Sequence, residues 1–242
     1  MIGFRRRMTL LVLTTNRAAC SRSLPLAHTA RTALAGKRLV GVRHAMPSLI
    51  FTRPGTGAIT GLFGVLGALA AQELEVQHGN QIVYVYDLPD PASEIAQALA
   101  WRLETALGVE YTGIGETPAQ LALDVETLYW QVAYRPHDWD RYAMIYHARV
   151  RLIDTLRLRV LAQALCSSDP FFSVRPSAAR LHTYDELLTN NASGLRRELD
   201  LTVDDCVDEL ASRCFLLDPA EPAPHRTVTP APARVTIDIP LR

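Results

Sequence analysis

The sequence predicts an α/β fold: a mixed sheet with an antiparallel three-strand meander, packed against helices. Three observations predict it. Tyr142, Met144, Tyr146, Ala148, Val150 and Leu152 alternate with His147, Arg149 and Arg151, the period of a strand with two unlike faces. Strand-like runs at Leu121–Tyr134 and Leu158–Leu165 flank it across short connections, which makes consecutive antiparallel pairing the simplest topology. Ile95, Leu99, Leu103 and Leu107 recur every fourth residue, the stripe of an amphipathic helix.

Taken in order, the body opens with a strand at Arg38–His44, and Ser48–Thr52 extends it or forms another. Gly55–Glu75 reads as an apolar helix carrying glycines at 57, 61, 64 and 67. Each glycine costs about 1 kcal/mol against alanine there, so close packing of a neighbour is expected to offset it. Gln81–Asp87, QIVYVYD, reads as a strand by its β-branched and aromatic content. The next helix has Asp90 at its N-cap, Pro91 at the first turn and Gly108 as its stop. In Leu121–Tyr134 the apolar phase slips near Thr127-Leu128, the mark of a bulge or of burial on both faces. A turn is expected near Thr155–Arg157. Thr183 with Glu186 forms a capping box opening a last helix. Asn190, Asn191 and Gly194 interrupt it, and Val203, Val207, Leu210, Cys214 and Leu217 form its stripe.

Composition sets the outer limits. The chain has 242 residues, 48% of them hydrophobic, enough for a sizeable core. Formal net charge is zero, so no global field favours nucleic acid or an anionic membrane. The balance is uneven along the chain. Residues 1–72 contain nine arginines and Lys37 but no acid, whereas the rest is acidic by ten charges. Met1–Arg7 is basic, Met8–Thr15 is short and apolar, and Asn16-Arg17-Ala18-Ala19 leads to Cys20. That order is the order of a secretory signal ending in a lipid-modified cysteine. Arg17 stands where such signals carry an aliphatic residue. The expected organisation is therefore a signal and lipidation segment at 1–20, a linker at 21–36 and one α/β domain at 37–217. A Pro/Ala-rich tail follows at 218–242, in which Val235, Ile237 and Ile239 alternate like a strand.

Three stretches, DPASEIAQALAWRLE from Asp90, YAMIYHARVRLIDTLRLRVLAQALC from Tyr142 and ELDLTVDDCVDEL from Glu198, resemble uncharacterised bacterial periplasmic lipoproteins. Their fold is similar to the TolB amino-terminal domain and to auxiliary lipoproteins of envelope transport systems. The resemblance covers about residues 85–215. It implies an envelope location, a binding or assembly role with a protein partner, and no catalytic residue.

The chemistry-bearing residues give few alternatives. Cys206 and Cys214 are eight residues apart on one helix, about 12 Å by helical rise, too far to bond. Cys166 ends a strand on which that helix is expected to pack, so a Cys166–Cys206 disulfide is favoured, with Cys214 a buried thiol. All three cysteines reduced is the competing reading. No cysteine or histidine spacing suggests zinc. Gly55-x-Gly57-x-x-x-Gly61 with Asp87 mimics a dinucleotide fingerprint, though its spacing is off. Pro136-His137-Asp138-Trp139-Asp140-Arg141 could offer an incomplete metal site, and reads more simply as a hairpin loop. Tyr129, Trp130, Tyr134, Tyr142 and Tyr146 read as core aromatics. His147 near Cys166 evokes a thiol–imidazole pair without a supporting motif. Arg149, Arg151 and Arg159 read as a basic stripe on the outer sheet face.

The combined expectation is a non-enzymatic envelope lipoprotein that needs no cofactor and binds or scaffolds envelope components. It would sit in the periplasm, most readily at the inner face of the outer membrane, anchored through Cys20 and free of nucleic acid. The alternatives are a nucleotide-cofactor enzyme using the Gly55–Gly61 loop, and a cytoplasmic α/β binding domain.

Overall fold

The computed structural model describes residues 23–52, 56–115, 118–135, 138–168 and 180–217, with only the backbone described at 56–68, 135 and 138–139. The mixed α/β architecture is as expected. Its strands are β1 (Arg38–Gly41), β2 (Ile50–Phe51), β3 (Glu110–Ile114), β4 (Leu121–Arg135), β5 (Asp138–Asp154) and β6 (Arg159–Ser168). The helices are α1 (His28–Thr32), α2 (Thr56–Tyr86), α3 (Pro91–Leu107) and α4 (Tyr184–Arg213). The sheet runs β3-β1-β4-β5-β6, with β2 also on β4. Pairs β4–β5 and β5–β6 are antiparallel, the expected meander, and β1 and β2 join parallel to opposite ends of β4.

The inner face is where the apolar alternation falls. Tyr142, Tyr146, Ala148, Val150 and Leu152 of β5 are buried beside Leu123, Val125, Trp130 and Val132 of β4. Helices α3 and α4 cover that face. Ile95, Leu99 and Leu103 are all at most 1% exposed, each contributing roughly 1.5–3 kcal/mol by burial. Asp90 caps α3, its carboxylate accepting from the Ala92 N–H, and Gly108 ends it at φ 66. The slip expected near Thr127-Leu128 is a register shift between Thr127 and Tyr129. It leaves Leu128 at 49% exposure and keeps Trp130 inward.

Three expectations are corrected. Gln81–Tyr86 is the last part of the 31-residue α2, not a strand. Ile82 is buried and Val83 and Tyr86 partly so, a spacing of one and four that presents one helical face to the core. Tertiary packing thus overrides β propensity. Asp87 is a left-handed turn residue at φ 48. Second, the stretch 21–36 is not a linker over its described part. Leu24 exchanges two backbone hydrogen bonds with Gln163, at 2.7 and 2.8 Å, and Leu26 and Leu34 are fully buried. Third, Leu158 belongs to the turn, at φ 50, and β6 starts one residue later. That turn is fastened by Asp154, whose carboxylate accepts from the Leu156 and Arg157 N–H groups and is held below its ordinary range by those bonds. Strand β3 had no counterpart in the sequence reading.

Close approach explains two glycines. A Cβ on Gly79 of α2 would fall 1.9 Å from the Leu49 carbonyl oxygen, and one on Gly194 2.2 Å from that of Glu186. Gly194 follows the predicted interruption of α4. Asn190, Asn191 and Ala192 have φ of 52, 59 and 55, a left-handed run that folds the first turn back on the main helix. Packing at Gly57, Gly61, Gly64 and Gly67 lies outside the described side chains.

Candidate functional site

Two constellations concentrate chemistry-bearing side chains. The first joins β6 to α4. Cys166, opposite Ala148 in the inward row, is 1% exposed, and Cys206 on the buried stripe of α4 is 0% exposed. The two are bonded in a disulfide with Cα atoms 5.5 Å apart, inside the range the bond requires. Closing a loop of this length (sequence separation 40) contributes about 4 kcal/mol in the chain-entropy account. Cys214, at the C-cap of α4, is a buried free thiol. Burial pushes its pKa up to about 12, which makes it a poor nucleophile at neutral pH.

The second constellation lies on the opposite face of the sheet. The basic stripe read from the sequence is answered there by acids on β4. Asp124, 4% exposed, accepts from Arg151 Nε at 2.7 Å and is bonded to His44 Nε2 at 2.6 Å. Glu126 pairs with Arg149, one row along. Next, Tyr129 and His147 lie in register with ring centroids 5.9 Å apart. Gln131 Nε2 then donates to Thr52 at 2.8 Å. Arg149 and Arg151 are thus taken by carboxylates rather than held open for phosphate, and Arg159 is exposed at the start of β6. The acids were missed at sequence level. Their signal was present as Asp124 and Glu126, two apart on β4, but it acquires meaning only with the β4–β5 register.

A smaller cluster fixes the entry to α4. Glu198, 4% exposed, meets His182 Nε2 at 2.9 Å and Arg180 Nε at 3.2 Å, while Arg180 also reaches Asp205. The Thr183–Glu186 capping box is formed.

The other predicted groupings come apart. His147 points to the outer face while Cys166 faces inward and is bonded to Cys206, so no thiol–imidazole pair exists. The aromatic set divides: Trp130, Tyr142 and Tyr146 are core, Tyr134 is half-buried, and Tyr129 is on the outer face. Burial raises the Tyr146 hydroxyl pKa, partly countered by its 2.9 Å bond to Thr127. The dinucleotide reading loses the strand it needs, since Gln81–Tyr86 is helical. Gly55 lies outside the described residues, as do Cys20, Pro136-His137 and the tail 218–242. Among the described residues no group of three or more His, Cys, Asp or Glu is placed to hold a metal. No described helix is long and apolar enough to cross a membrane.

No protein-family model matches the chain, and no curated protein does. Among solved structures it is similar to the PelC L103M dodecamer from Paraburkholderia phytofirmans, at 13% identity and a TM-score of 0.35, covering 79% of this chain and 92% of that one. It is also similar to lipoprotein GNA1162 from Neisseria meningitidis, at 15% identity and a TM-score of 0.24, covering 72% and 98%. Likeness of that degree assigns no role to this chain.

Proposed function

We propose that the chain is an exported envelope lipoprotein that works without catalysis, binding or scaffolding a protein partner in the periplasm. The Cys166–Cys206 disulfide is the observation that carries it. Both cysteines are buried where α4 packs on β6, and structural disulfides form and persist in oxidising compartments. The basic, acid-free leader ending at Cys20 supplies the route there. Among the described residues the reactive groups support a binding role, since Cys166 and Cys206 are bonded, Cys214 is buried, and Arg149 and Arg151 are paired with carboxylates. Anchoring through Cys20 at the inner face of the outer membrane completes the reading, with neither nucleic acid nor cofactor required.

The test is fractionation of host cells making the chain or its Cys20→Ala variant. The reading expects the parent in the membrane fraction, Cys166 and Cys206 unreactive to alkylation after unfolding without reductant, and the variant released from that fraction. Alkylation of both cysteines after unfolding without reductant would favour the cytoplasmic alternative.

A further inference from the structure

Cys20 is separated from Leu24 by only Ser21, Arg22 and Ser23. Leu24 is already part of the body, bonded in both directions to Gln163 of β6, and Leu26 donates to the Cys214 carbonyl at 2.8 Å. Four fully extended residue steps reach about 14 Å, so an acyl group on Cys20 has no slack. Resting on the lipoprotein reading above, we infer that the β6 edge of the sheet is the surface held against the bilayer.

The side chains at that edge fit the placement. Leu24 is 48% exposed and Leu165, two residues beyond Gln163 on the same face of β6, is 46% exposed. Leu216 is 47% exposed and stands two residues after Cys214, whose thiol approaches the Leu24 carbonyl. Three exposed leucines thus surround the point where the tether enters, from both sides of the sheet edge. Gln163 directs its N–H and C=O away from β5 toward Leu24, so Leu165 and Ser167, in the same phase, direct theirs outward too. Among the described residues only Leu24 pairs on this edge, and strand groups left bare are tolerated among hydrated headgroups but not in hydrocarbon, which sets the depth at the headgroup layer. The opposite edge differs. On β3 the Tyr111 N–H is taken by Glu104 and Gly113 has φ 99, and Gly115 just past the strand has φ 155. It lies four strand spacings away, roughly 19 Å, beyond the reach of the tether.

The experiment uses the mature chain starting at Cys20, with a maleimide lipid coupled to that cysteine. The disulfide and the buried Cys214 leave Cys20 as the reactive thiol. A photo-crosslinking amino acid is placed at Leu165 or at Glu110 of β3, and the protein is bound to phosphatidylethanolamine–phosphatidylglycerol vesicles. The expected result is crosslinking to phospholipid from position 165 and none above background from position 110. A Gly/Ser insertion of about twelve residues, roughly 20 Å r.m.s., between Cys20 and Ser21 should abolish the difference. Equal crosslinking from both positions in the uninserted chain, or a crosslinked dimer from position 165 in place of lipid, would overturn the inference. Because the lipid is attached chemically, absence of acylation in the host would defeat the lipoprotein reading and leave this geometric result standing.

Discussion

The meander with α4 and the α2–β2 corner are built on different principles. In the first, β4, β5 and β6 follow one another through short connections, paired over almost their whole length. A capping box opens α4 and a disulfide ties it to β6. In the second, a 31-residue helix sits beside a two-residue strand, where a Cβ on Gly79 would meet the Leu49 carbonyl and the Leu49 N–H donates to Asn80. Leu69, Leu74, Tyr84 and Val85 of α2 are more than half exposed. Long ladders and a cross-link hold the first region, whereas the second rests on a two-residue strand, one close glycine approach and the inward face around Ile82.

That contrast can be broken from either side. The largest effect is expected from Cys166→Ala with Cys206→Ala, which should cost about 4 kcal/mol in chemical denaturation while the sheet stays folded. Gly79→Leu comes next. The side chain has no space beside the Leu49 carbonyl, so α2 must shift, at a cost of about 3 kcal/mol. Amide exchange should show that loss in α2 before β4 or β5. In the parent protein too, α2 amides should exchange faster than those of β5, because partly exposed elements open locally at lower cost. Uniform protection across both would mean that the corner is as cooperative as the meander. Thr183→Ala should cost about 1 kcal/mol through loss of the cap, measured by thermal unfolding.

The smallest effect at neutral pH is one of linkage. Folding raises the Cys214 thiol from 9.0 to about 12. Below pH 9 the thiol is protonated in both states. As pH rises from there toward 12 only the unfolded chain loses the proton, so stability falls across that window. Cys214→Ala should flatten the fall measured in denaturant titrations.

The two regions also differ in how far the sequence discloses them. The β5 alternation, the α3 stripe, the caps at Asp90 and Thr183 and the slip at Thr127-Leu128 are local signals, and the structure follows each. Cys166 and Cys206 could be paired from their places on a strand end and a buried helical stripe. Gln81–Tyr86 misleads because QIVYVY carries strand residues, and only the core around Ile82 selects the helix. Leu24 and Leu26 look like linker residues because their partners, Gln163 and Cys214, are more than a hundred positions away. Strand β3 is short and half exposed, with glycines at its end, and carries no alternation to find. The ladder of Asp124, Arg151 and His44 needed three separate segments to be placed before it meant anything.

The central claim is best tested by the intact mass of the mature protein from its native host, measured without reductant. The account predicts a chain beginning at Cys20, carrying diacylglycerol, with Cys166 and Cys206 bonded and Cys214 free. An unprocessed and unlipidated chain with every thiol open to alkylation after unfolding would contradict it.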